Sequence, residues 1–215
     1  SESIPGGSSN LEKWTMSDYR AIADVGEILI ALLKDYMKDL IPADSIILAS
    51  PGDIDAKDNV RLSLFLYQVF ENAHLKNHEM QVTDPTKVTF PPQILELYYM
   101  LTSHVSSGEQ DKTEKTLEEH RVLGRALQVL HDNSILSGSF LKGNLDRNDE
   151  LHIALTSPTL DDLTKIWTTF AGRPFKSSVC YVVTPVRIDS ARTMSVQRVI
   201  DKKLYYMQIV MKKEG

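Results

Sequence analysis

The chain has 215 residues, 42% hydrophobic and 25% charged, with a formal net charge of -5 and one cysteine. That length suits one large domain able to bury a core without metals, and a single cysteine excludes an internal disulfide. The charges are interspersed without a lysine or arginine block, which argues against nucleic acid as a partner, and no apolar run of about 18 residues could cross a membrane as a helix.

Residues 1–15 are polar and read as a leader or a disordered tail, leaving 16–215 as a single domain. From Ser17 to about Leu40, Ile22, Val25, Leu29, Leu32, Leu33 and Tyr36 share a stripe broadened by Ala21, Ile28 and Met37. This predicts a helix laid flat on a sheet, capped by Ser17 or Asp18 and stopped by Pro42. Ser45 to Ala49 reads as a short strand.

Runs at about 60–72 and 93–104 carry apolar residues on both parities. In the first, Val60, Leu62, Leu64 and Leu66 point one way while Phe65, Tyr67 and Val69 point the other. Such strands are expected to be covered on both faces by helices. A polar excursion, Ala73 to Thr89, separates them.

A polar loop at 106–112 precedes a helix from about Thr113 to Asn133, apolar along Val122, Leu123, Ala126, Leu127, Val129 and Leu130. The turn-rich stretch 142–149 leads into a strand, Glu150 to Leu155. Thr159 with Asp162 resembles a capping box opening a third helix, in which Leu163, Ile166, Trp167 and Phe170 recur at helical period before Gly172 and Pro174. That register makes Trp167 and Phe170 core residues. Strands at Ser178 to Ile188 and about Val196 to Val210 close the chain, with Pro185 expected at an edge or a bulge because it has no amide proton. The order predicts an α/β fold of the α+β type: a mixed, largely antiparallel central sheet packed by about three helices.

Catalytic signals are weak. His74 and His78 are four apart with Glu79 adjacent, the spacing of metal ligands on a helix. Their segment reads as the ragged end of a strand, where that spacing has no such meaning. His120 and His131 would lie about 16 Å apart along one helix, too far to share an ion. Cys180 has no paired base and reads as a small buried apolar residue. Asp161, Asp162, Glu118 and Glu119 sit near helix starts, where the helix dipole accounts for them. The residues thus point to no enzyme and no cofactor.

Several blocks, taken in order, carry a resemblance. They are Leu62-Ser-Leu-Phe-Leu-Tyr67 with Asn72, Pro91-Pro92 leading to Leu97-Tyr-Tyr-Met-Leu-Thr102, and Glu119-His-Arg-Val-Leu-Gly-Arg-Ala-Leu-Gln-Val-Leu-His-Asp132. Leu151-His-Ile-Ala-Leu155, Trp167 and Ser177-Ser-Val-Cys-Tyr-Val-Val183 complete the set. Over about 17–210 the chain resembles the N-terminal domain of cap proteins of extracellular contractile injection systems, particles similar to contractile phage tails. The resemblance implies a tail-terminator fold and a typically hexameric ring that ends tube and sheath polymerisation. It also implies tube protein, sheath protein and further copies as partners. The particle would form in the bacterial cytoplasm and act outside the cell.

The contact elements expected are the loops at 106–112, 142–149 and 189–195 and the final strand. Asp111, Lys112, Asn144, Arg147, Arg192, Tyr205 and Tyr206 are the candidate interface residues, chosen as polar connections or sheet ends. The outward position of one of Tyr205 and Tyr206 follows from strand alternation. Two alternatives stand beside this reading: a small metal-dependent enzyme using the His74, His78 and Glu79 region, and an adaptor domain of the same particle.

Overall fold

Two long strands, rich in apolar residues on both parities, pair antiparallel over nearly their whole length, and the sheet grows outward from them. The structure is a computed structural model describing residues 17–55, 57–75, 81–84, 87–105 and 111–195, excepting the side chains of 81–84 and 87. The elements are α1 (Ala21–Met37), β1 (Ile46–Leu48), β2 (Leu62–Glu71), β3 (Gln81–Asp84), β4 (Lys87–Thr89) and β5 (Gln93–Ser103). They continue with α2 (Lys112–Asp132), β6 (Ile135–Ser137), β7 (Glu150–Thr156), α3 (Leu160–Thr168), β8 (Ser178–Ile188) and β9 (Thr193–Ser195).

The described residues fall into two compact units, 17–75 with 92–189, and 81–91 with 190–195. The larger holds a six-stranded sheet in the order β1-β2-β5-β8-β7-β6, parallel only between β1 and β2. The mixed, largely antiparallel sheet with three α-helices is the architecture expected from the sequence.

One face of the sheet presents Leu62 and Leu64, then Leu97, Tyr99 and Leu101, then Tyr181 and Val183, with Leu151, Ile153 and Leu136 beyond. The buried stripe of α1, including Val25, Leu29 and Leu33, covers it together with Val122, Ala126, Val129 and Leu130 of α2. This is the main core. Burying a side chain of leucine size contributes about 1.5–3 kcal/mol, so this cluster dominates folding.

Among the described residues, α3 is the one α-helix on the opposite face, with the 51–55 segment beside it. Trp167 and Phe170 pack with Met100 and Cys180, flanked by Phe65, Tyr67, Leu163 and Ile166. The rings of Phe65 and Phe170 meet edge-on at 5.8 Å, and Trp167 meets Phe170 at 5.4 Å. Here the expectation of two covered faces needs correction. Leu62 to Leu64 are buried, but Val69 and Phe70 are 41% and 48% exposed. Beyond the register slip between Leu66 and Gln68, Val69 pairs with Leu97 on the main-core face and Phe70 with Glu96 on the opposite one, so this end of β2 is open on both sides. On the second face α3, about 14 Å long, is too short to follow a strand of about 33 Å.

Other differences are local. α1 starts at Ala21, because Ser17 is drawn into tertiary bonds instead, donating through its amide to Asp189 Oδ2 at 2.9 Å and through Oγ to the Asn144 carbonyl at 3.0 Å. Asp18 accepts from the Arg20 amide at 2.9 Å. Pro185 meets the bulge half of its expectation: it sits in the interior strand β8, where the register slips between Leu95↔Val186 and Leu97↔Val183. The slip excuses its missing donor. The three-residue edge strand β6 was too short to show in the periodicity.

In the smaller unit, β3, β4 and β9 form an antiparallel sheet. The polar excursion therefore contains a hairpin, and the 189–195 loop ends in a strand. Alternation over three or four residues gives too little signal to separate strand from loop. Arg192 lies over the Phe90 ring at 4.3 Å, and the Phe90 amide donates to the Arg192 carbonyl at 3.1 Å. The expected strand at 196–210 lies outside the described residues.

Candidate functional site

The register that pairs Leu62 with Ser103 brings three polar residues together at one end of the larger sheet. Arg61, 8% exposed, places Nη2 2.8 Å from Glu118 Oε1 of α2 and donates through Nε to the His104 carbonyl at 3.3 Å. Its amide donates to the Ser45 carbonyl and its carbonyl accepts from the His104 amide. Through side chain and backbone together, Arg61 thus ties the ends of β2 and β5 to α2 and to the residue before β1. His104 Nε2 lies 2.8 Å from Ser63 Oγ, both residues being buried. Burial, with the nearby Lys176 ammonium second, pulls the His104 pKa down to about 4, so the ring is neutral at physiological pH. The sequence reading passed over this histidine. Its signal was its place directly after the apolar strand ending Leu101-Thr-Ser103.

A serine beside a histidine invites a nucleophile reading, but Ser63 is 0% exposed and no substrate reaches it. Cys180 is buried as expected, and burial pushes its thiol above the ordinary value, the opposite of an activated thiolate. His74 sits in a turn after β2 with its amide donating to Asn72 Oδ1 at 3.0 Å, so helical spacing has no meaning there. His78 and Glu79 lie outside the described residues. Among the described residues, no group of three or more His, Cys, Asp or Glu side chains is placed to hold a metal ion.

Among the clefts of the larger unit, two have both acidic and basic side chains in their walls. The first, about 320 Å³, lies between the 51–60 segment and 167–176, walled by Ile54, Val60, Val105, Trp167 and Pro174. Its cations are already paired, Arg173 with Asp55 at 2.7 Å and Lys176 with Glu119 at 3.0 Å. The second, about 410 Å³, lies between the outer flank of α1 and residues 139–143. Neither cleft sets an acid, a base and a nucleophile around one point. Among the described residues no helix is long and apolar enough to cross a membrane.

The candidate contact residues separate into kinds. Asp111 is the N-cap of α2, accepting from the Thr113 amide at 3.1 Å, and Lys112 is its exposed first residue. Asn144 is held from several sides. Its Oδ1 accepts from Arg20 Nη2 at 3.0 Å and its amide donates to Asp24 Oδ2 at 2.9 Å, besides the bond from Ser17. It therefore shapes the 142–149 loop. Arg147 is exposed on that loop with no ion pair among the described residues. Arg192 belongs to the smaller unit, and Tyr205 and Tyr206 lie outside the described residues.

The fold is similar to that of two solved assemblies. A sheath/tube terminator of an extracellular contractile injection system, PVC, in its extended state superposes with a TM-score of 0.62 at 19% identity, covering 88% of this chain and 64% of that one. The anti-feeding prophage cap, a tube terminating cap, gives 0.60 at 17% identity, covering 86% and 61%. The chain thus spans less than two thirds of the length of each. No curated protein sequence matches. The sequence profile of the Pvc16 N-terminal domain matches residues 24–202, and the chain belongs to that family.

Proposed function

We propose that this chain is a non-enzymatic subunit that caps the tube and sheath of a contractile injection particle and ends their growth, acting as one domain from residue 16 onward. The observation that carries the reading is the family match over 24–202. Likeness of fold to a sheath/tube terminator and to a tube terminating cap supports it.

The molecule is built for finite assembly. A terminator must bind the last ring of a polymer without offering the next ring the same surface. Both edges of the larger sheet are three-residue strands, β1 and β6, too short to template continued pairing yet open to a partner segment. One head-to-tail contact repeated around an axis closes a ring, here a homohexamer. The partners are further copies, tube protein and sheath protein, rather than nucleic acid or membrane. Asp111, Lys112, Arg147, Arg192, Tyr205 and Tyr206 are the contact residues proposed, with Asn144 holding the loop that presents Arg147. The ring assembles in the bacterial cytoplasm and leaves with an extracellular particle.

Light scattering of the purified chain, alone and mixed with tube protein, tests this. A ring of hexameric mass that shortens the tubes is expected. A monomer at high concentration, together with unaltered tube growth, would overturn the proposal.

A further inference from the structure

The groove beside α1 has the chemistry of a docking site. Residues 24, 27, 28, 31 and 35 recur at helical spacing along the flank of α1 that turns from the sheet. The floor is apolar, with Ile28 and Leu32 deep in it, and Tyr36 and Phe140 stand at its margins 46% and 40% exposed. Asp24, Glu27 and Asp35 line the α1 side, opposed only by Lys142. Asp24 is committed to the Asn144 amide at 2.9 Å. Glu27 has no partner among the described residues, and Asp35 reaches only Lys38, at 3.9 Å with both side chains more than 70% exposed. The rim therefore carries a net negative charge that Lys142 and Lys38 offset only in part, above an apolar floor.

An anionic ligand would be repelled here, and a purely apolar one would leave the carboxylates unmatched. Glu27 and Asp35 are eight residues apart on the helix, about 12 Å along its axis. An extended peptide advances about 3.3 Å per residue, so two cationic side chains four residues apart would reach both. The residue midway between them lies on the same side of the peptide and would face the floor.

From this geometry we infer that the groove docks an extended basic segment of another chain of the particle, with lysine or arginine at two positions four apart and an apolar residue between. The supplier's place in the particle rests on the proposed function. The chemistry of the groove does not.

The test uses the whole chain and fluorescence polarisation of labelled, end-blocked pentapeptides at low salt. A lysine–serine–leucine–serine–lysine peptide should bind saturably. Glu27→Lys with Asp35→Lys, both exposed positions, should weaken it by about tenfold or more, and Phe140→Ser should weaken it independently. Three results would overturn the inference: no saturable binding, equal binding of a glutamate-flanked control, or equal binding when glycine replaces leucine. The same charge-reversed variant is then mixed with tube and sheath subunits. If it joins them as the unaltered chain does, the groove is not the contact, although the capping role stands. If the unaltered chain joins neither, the capping role fails while the peptide result still judges the groove.

Discussion

His104 shows how one buried ring ties stability to pH. Folded, it stays neutral down to about pH 4, whereas in an unfolded chain it takes its proton near the ordinary value of 6.5. Between those values the unfolded state binds more protons, so the contribution is complete above about pH 6.5 and is lost as pH falls towards 4. Its size is about 3 kcal/mol at most. Urea unfolding at pH 7 and pH 4.5 should show a smaller drop in His104→Gln than in the unaltered chain, and an equal drop would refute the assignment. At Gly143, where φ is +72°, an added Cβ would meet the Asp24 carboxylate at 2.5 to 2.6 Å. Gly143→Ala should cost about 1–3 kcal/mol and release the Asn144 loop, measurable by unfolding and by faster exchange of the Asn144 amide. Arg61→Ala leaves Glu118 without its ion pair and should cost about 2–3 kcal/mol in the same assay.

At the level of elements, the helices were legible because each carries a long periodic signal. The α3 capping box is as expected, with the Asp162 amide donating to Thr159 Oγ1 and the Thr159 amide donating back to Asp162 Oδ2, both at 3.2 Å. Trp167 and Phe170 were legible as core for the same reason. Trp167→Ala should cost about 3 kcal/mol or more by leaving a cavity between α3 and the sheet, read as a lower denaturation midpoint. What escaped the sequence had little pattern to show. β3, β4, β6 and β9 are three or four residues long, shorter than two periods of alternation. Strand coverage escaped too, since the register slip between Leu66 and Gln68 in β2 and the end of the helical cover both depend on neighbouring elements. Pro185 was legible as a residue of an edge or a bulge, and which of the two it is depended on the neighbours of β8. The candidate contact residues were legible only as polar positions. That Asn144 is a strut while Arg147 is free depends on a chain segment more than 120 residues away.

At the scale of the larger unit, a sheet with a dense core on one side and a short helix on the other makes a compact body with short edges and loop-borne charge. Rigidity favours docking because little conformational freedom is lost when partners meet. Arg173 and Lys176, the cations of the cleft beside Trp167, are already paired, which suits that side of the unit to holding neighbours in place. The most direct test of the capping role is electron microscopy of tubes and sheaths assembled with gold-labelled chain. Label confined to one end of each particle, in a single closed layer, is the predicted result. Label distributed along the shaft, or absent from assembled particles, would contradict the account.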